Sequence, residues 1–237
     1  MKQKQQKDKE PAKEKNFRTG HRERLKQRFM KSNGKGVADH ELLELILFRT
    51  IPRKDVKEIA HILIDEFGDL SAVMAAPKEK LQKVAGIGPH VMLDFKIFEE
   101  AALRFGQSRV LHRDLIASWD DLIRYCRAKM AEKRIEEFHV LFIDKQNRVI
   151  ADETLAIGTV DHTPVYPREV IKRALQHDAS AIIIVHNHPG GDPSPSRADI
   201  DMTHRLRDLA QQFNIKLHDH LVIGRNAEYS FRNQQLI

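Results

Sequence analysis

Cysteine is almost missing from this chain. A single residue, Cys126, stands among 237. That excludes an internal disulfide framework and a zinc cluster built on cysteine. Long apolar runs are missing too. No stretch approaches the ~18 consecutive apolar residues that a membrane-spanning helix needs, so no membrane partner is expected. The opening Met1-Lys2-Gln3-Lys4 has no apolar segment behind it. A secretory leader is therefore not expected, and a cytoplasmic location is the reading. What remains is a chain with 41% hydrophobic residues, enough to pack a core. Its length suits one large domain or two small ones.

Charge is distributed unevenly. The net is +6, yet residues 1–35 hold 13 Lys/Arg against 4 Asp/Glu, leaving 27 against 30 in 36–237. The positive excess belongs to an N-terminal arm. Such an arm either contacts nucleic-acid phosphates or is a solvated tail, and charge alone does not choose. Residues 1–16, poor in apolar groups and rich in Lys and Gln, read as a disordered basic tail.

Residues 17–106 read as a small helical domain. Apolar residues at helical spacing mark 40–48, with Asp39 as N-cap, and 55–67, with Gly68 as its stop. Shorter helical turns cover 71–76 and 77–84. The turn Val84-Ala85-Gly86-Ile87-Gly88-Pro89 before a helix at 91–103 resembles a helix-hairpin-helix module, whose glycines admit a DNA phosphate to backbone amides. Asp94, Glu99 and Glu100 make the second helix acidic, which favours a packing role for the turn over phosphate binding. Polar, basic residues 107–117 read as a linker. From 118 to 237, strands alternate with helices: helix 120–133, strands 138–144 and 148–151, a third strand near 153–158, helix 167–177, strand 181–185, helix 196–213, and strands 217–223 and 229–231. That pattern predicts an α/β layered domain.

The densest chemistry lies in His186-Asn187-His188-Pro189-Gly190-Gly191-Asp192-Pro193-Ser194-Pro195-Ser196-Arg197-Ala198-Asp199. His186 and His188 end an apolar run, and at i and i+2 of an extended segment they project from the same side. Asp199 follows after ten intervening residues. Two neutral ring nitrogens and one carboxylate oxygen form the three-ligand shell of a catalytic zinc, with one position left for water. A blander reading stands beside it. Ser196 as N-cap with Asp199 three residues on is also a helix start resembling a capping box.

The joint pattern is His-x-His-Pro, six residues, Ser, two residues, Asp. It resembles the JAMM motif of the MPN (JAB) metal-dependent proteases. Val165-Tyr166-Pro167-Arg168-Glu169-Val170, Asp219-His220-Leu221-Val222-Ile223-Gly224 and Gly158-Thr159 narrow the resemblance to the bacterial RadC family, over roughly 20–237, nearly the whole chain. The resemblance implies an MPN-type fold for 118–237 and a Zn2+ held by His186, His188 and Asp199. It implies hydrolysis of a peptide or isopeptide bond in a protein substrate by zinc-activated water. It also implies a glutamate just before an early strand as general base, which is Glu136 here, and Ser196 as a donor to the oxyanion. Glu137, the neighbour of Glu136, is expected to point to the opposite face, and Glu153 is a third candidate. For His218, Asp219 and His220 the expectation is a supporting or structural hydrogen-bonding role, with His218 and His220 sharing one face. His139, His162 and His177 carry no partner pattern. The competing reading is a DNA-associated repair or recombination accessory protein whose zinc domain is structural or of unknown activity.

Overall fold

The computed structural model describes residues 17–115, 118–158 and 165–237. The expected basic tail 1–16, the linker residues Ile116 and Ala117, Thr159 and His162 lie outside the described residues. The described chain falls into two compact units. The first extends to Val73 and resumes over Pro77–Asp94, and the second takes Met74–Ala76 and Phe95–Ile237. Among the described residues no helix is long and apolar enough to cross a membrane.

The first unit is helical. It is built from α1 (Phe17–Ser32), α2 (Asp39–Thr50), α3 (Lys57–Phe67), α4 (Leu70–Ala75), α5 (Lys78–Leu81) and the start of α6 (Pro89–Val110). Leu43, Ile46 and Leu47 recur at helical spacing along α2 and are buried, as are Val56, Ala60 and Leu63 at α3. This i, i+3, i+4 pattern is what drives two amphipathic helices together. Asp39, expected as the N-cap of α2, is its first helical residue instead, and Ala38 takes the cap position. The Asp39 carboxylate is spent on the Leu70 N–H at 3.1 Å. Helix α1, unassigned in the sequence reading, buries Leu25 beneath a basic surface. Several of its cations have partners within the unit. Arg22 donates to the Ile51 and Lys54 carbonyls and lies over the Phe48 ring. Arg28 pairs with Glu41, and His21 meets the buried Glu44 at 2.6 Å. In the glycine turn before α6, Gly86 has φ +94°, and a Cβ there would stand 2.9 Å from Ile59 Cδ1. The turn is thus used for close packing on α3.

Helix α6 runs through Gly106 to Val110, so residues 107–110 of the expected linker are helical. Val110 and Leu115 are buried in the core of the second unit, and Leu111 and Asp114 bridge to Val149 and Arg148.

The rest of the second unit is a mixed sheet between helices, as the alternation of elements requires. It comprises α7 (Trp119–Met130), β1 (Glu137–Ile143), β2 (Val149–Ile157), α8 (Pro167–Gln176), β3 (Ala181–Asn187), α9 (Arg197–Gln212), β4 (Lys216–Ile223) and β5 (Glu228–Ser230). The strand order is β2-β1-β3-β4-β5. Strands β3 and β4 pair in parallel, with α9 as their crossover, and the remaining pairs are antiparallel. Central β3 is buried along its whole length, which is why its sequence reads as an unbroken apolar run. Its side chains alternate between two cores. Ala181, Ile183 and Val185 pack with Leu122, Tyr125, Cys126 and Met130 of α7. Ile182 and Ile184 pack with Phe138, Val140 and Phe142 of β1 and with α8 and α9.

The two strands expected at 148–151 and 153–158 are one, β2. Asp152 suggests a break in the sequence, but its carboxylate continues the strand because Tyr125, Lys129 and His139 surround it.

Candidate metal centre

Strand β3 ends at Asn187, with His186 inside the ladder and His188 one residue beyond it. The i and i+2 spacing brings both rings to one side. Their Nε2 atoms lie 3.0 Å apart. Asp199, in the first turn of α9, closes the group: Oδ1 is 3.5 Å from His186 Nε2 and Oδ2 is 3.7 Å from His188 Nε2. Zinc bonds of about 2.0–2.1 Å in a tetrahedron put ligand atoms roughly 3.3 Å apart. The three separations bracket that edge.

Partners further out fix which nitrogens are bare. His188 Nδ1 donates to the Asp192 carbonyl at 2.8 Å, leaving Nε2 of the neutral ring as a lone pair. His186 Nδ1 meets His220 Nε2 at 2.8 Å, His220 Nδ1 meets Thr203 Oγ1 at 2.6 Å, and Thr203 Oγ1 donates to the Asp199 carbonyl at 2.5 Å. Only one direction satisfies every member: each group donates toward Asp199, and His186 Nε2 carries no proton. Two lone pairs 3.0 Å apart repel unless a proton or a metal cation lies between them. The donor set therefore fits a divalent metal, and neutral imidazoles oriented by buried partners are how such ligands are held.

Burial and neighbouring charge act differently on the three groups. Burial drives the His186 pKa down to about 4, against a smaller pull from Asp199. His188 is raised, chiefly by its contact with Asp199. Desolvation would raise Asp199, but His188 and His186 outweigh it and hold the carboxyl well below the usual range. Full burial pushes His220 well down, so it enters the chain as a neutral ring. The His186 side chain is 2% exposed and His188 is 22% exposed. The site is therefore accessible from the His188 side.

Ser196 takes the capping role and adds a bond to Asp199. It is the N-cap of α9, its Oγ accepting the Asp199 N–H at 3.1 Å, while its hydroxyl proton goes to Asp199 Oδ2 at 2.6 Å. Its backbone N–H adds a second bond to the same oxygen at 2.7 Å. The serine thus holds the carboxylate in place.

Glu136 immediately precedes β1, is partly buried, and acts electrostatically on His188. Glu137 is engaged elsewhere, with His139 at 3.0 Å and Lys133 at 3.2 Å. Glu153 is held by Arg173 and by His177 at 2.6 Å, not by His186, His188 or Asp199. His218 and His220 do not share a face. The β3–β4 register slips at His218, Ile182 pairing with Leu217 and Ile183 with Asp219. This bulge leaves His218 beside Trp119 and Arg232, while His220 alone reaches His186. Asp219 is a buried anchor, accepting from Ser230 Oγ and from the backbone N–H groups of His220 and Arg232.

The loop after His188 is held by backbone contacts. Gly191 N–H bonds the His188 carbonyl at 2.9 Å, and Arg225 N–H bonds the Gly191 carbonyl at 3.1 Å. Gly224 lies so close that a Cβ there would stand 2.3 Å from the Gly191 oxygen. Two contributors escaped the sequence reading: Thr203, whose signal is its place one helical turn after Asp199, and Asn187, hidden between the histidines.

Comparison with known proteins places this geometry in context. Residues 116–236 match the family model described as a RadC-like JAB domain. A UPF0758 protein of Ruegeria pomeroyi is 53% identical over 212 residues, covering 90% of this chain and 95% of the relative. A UPF0758 protein of Rhodobacter capsulatus is 53% identical over 213 residues, covering 90% of this chain and 100% of the relative.

Proposed function

The chain belongs to the RadC family, and on that premise we propose that it is a zinc-dependent hydrolase of JAMM type that cleaves a peptide or isopeptide bond. One observation carries the reading: two imidazole Nε2 atoms and one carboxylate converge at the accessible end of a buried strand. Two histidines and one acidic oxygen are the ligand set of hydrolytic zinc and leave a coordination position open. When bound, zinc supplies a Lewis acid and makes water a nucleophile near neutral pH.

The chain's own residues do the rest. His186, His188 and Asp199 hold the ion. His220 and Thr203 keep His186 in the ligating tautomer, and the Asp192 carbonyl does the same for His188. Glu136 takes the proton of the attacking water and passes it to the leaving amine. Ser196 orients Asp199, and the oxyanion contact assigned to it requires its proton to turn away from that carboxylate. A purely structural zinc needs no carboxylate beside an open position, and the place of Glu136 immediately before β1, two residues from Phe138, which pairs with His186, supports hydrolysis over that alternative.

The test has two parts. Elemental analysis should find about one zinc per chain, lost in His188→Ala; equal metal in both would refute the ligand set. Against a panel of peptide and isopeptide substrates, Glu136→Gln should keep zinc and lose roughly 100-fold or more in turnover, with Glu137→Gln mild. Release of metal by Glu136→Gln, or a loss confined to Glu153→Gln, would refute the base.

A further inference from the structure

The β1–β3 ladder stops one rung short of the metal end. Its last pair is Phe138 with His186. The next rung would join Glu137 to Asn187, and there a side chain replaces the backbone. Asn187 Oδ1 accepts the Glu137 N–H at 2.8 Å, and Nδ2 donates to the Ile135 carbonyl at 3.2 Å and reaches the Lys133 carbonyl at 3.5 Å. Asn187 is 1% exposed, so its oxygen and both its amide protons are committed in a dry site. The two shorter bonds grip the backbone on either side of Glu136. The Glu136 carbonyl is tied separately, accepting the Gly158 N–H at 2.9 Å.

We propose that Asn187 is a positioning residue. Lying between the two histidine ligands, it couples the strand that carries them to the peptide that carries Glu136, and so sets where that carboxylate stands. The inference rests on the reading of Glu136 as the proton carrier. No smaller side chain reaches all three backbone groups, and aspartate supplies the acceptor but neither donor. Alternation along β1 adds the direction. Glu137 turns toward His139 and Lys133, which leaves Glu136 on the side of Phe138 and His186.

The test uses the full chain loaded with cobalt(II) and two readouts independent of turnover. In Asn187→Ala, amide hydrogen exchange over residues 133–137 should quicken by ~10-fold or more, the scale of one lost buried hydrogen bond, with β3 as protected as in the wild type. The pH titration of the cobalt visible spectrum should keep its stoichiometry but shift its inflection in the direction given by Glu136→Gln. The double variant should shift no further than Glu136→Gln alone. A wild-type inflection in Asn187→Ala, when Glu136→Gln moves it, overturns the proposal; so does unchanged exchange over 133–137, and so does loss of cobalt. An inflection unmoved by Glu136→Gln refutes the reading of Glu136 itself and removes the inference with it. If Asn187→Ala does not fold, Asn187→Asp, which keeps the acceptor and loses both donors, is judged by the same criteria and should give intermediate shifts.

Discussion

Replacing Asp152 by asparagine tests whether the polar cluster behind the metal face stabilises the second unit. The Asp152 carboxylate is 2% exposed and meets Lys129 Nζ at 2.7 Å. It accepts from Tyr125 OH at 2.5 Å and lies 3.5 Å from His139 Nδ1. Desolvation pushes its pKa up, but His139, Lys129 and Tyr125 outweigh it and bring the carboxyl from 3.8 down to about 2. Each tenfold gain in acidity is worth about 1.4 kcal/mol, so the ionised form contributes about 2 kcal/mol to folding. The sign follows from the depressed value. The contribution is complete above the unfolded pKa and is lost as pH falls through the folded one. Asp152→Asn should therefore cost about 2 kcal/mol at pH 7, and the gap from the wild type should shrink steadily between about pH 4 and pH 2. Trp119, the chain's one tryptophan, opens α7. Its fluorescence in a urea titration of zinc-free protein reads this unit. A gap of the same size at pH 7 and pH 2.5, or one below about 0.5 kcal/mol at pH 7, would refute the assignment of the shift to these three partners.

Thr203→Val keeps the shape of a fully buried side chain while leaving His220 Nδ1–H without an acceptor. Competition with a chelator should show zinc affinity reduced by roughly 10–100-fold. Gly224→Ala should cost about 1–3 kcal/mol through steric overlap and also weaken zinc, because the displaced loop supplies the Asp192 carbonyl to His188; thermal melts with and without zinc separate the two effects. Removing residues 1–16, which hold six lysines and three acids, should weaken any nucleic-acid binding and flatten its dependence on salt. An unchanged slope would place that contact elsewhere.

The order of elements after residue 118 was legible because strands and helices there have different periods, and because β3, buried on both sides, could only be an unbroken apolar run. The convergence of His186, His188 and Asp199 was legible for a related reason. All three come from one strand–loop–helix passage, so their spacing survives in the sequence. What was not legible depends on partners far along the chain. Asp152 reads as a strand break until Tyr125 and Lys129 arrive from α7. His218 and His220 read as a pair until a one-residue slip against β3 separates them. Helix α1 was hidden by its own charge, since its cations neutralise groups on later elements while little of the helix is buried. Asn187 looked like a spacer because the groups it binds lie some fifty residues earlier.

Asp199 stands at both ends of one circuit. Its carboxylate faces His186, and its carbonyl receives the proton of Thr203, which closes the chain that began at His186 Nδ1. Both contacts belong to one helix, four residues apart. Each residue inserted into a helix turns everything beyond it by about 100°. One residue added between Asp199 and Thr203 would leave His186, His188 and Asp199 in place and swing the threonine away from His220. Substitutions nearby can be absorbed by small adjustments, but a change of length in this turn cannot. Among variants of this chain, residues 200–202 should therefore accept altered side chains far more readily than altered length, with Asp199 and Thr203 themselves kept.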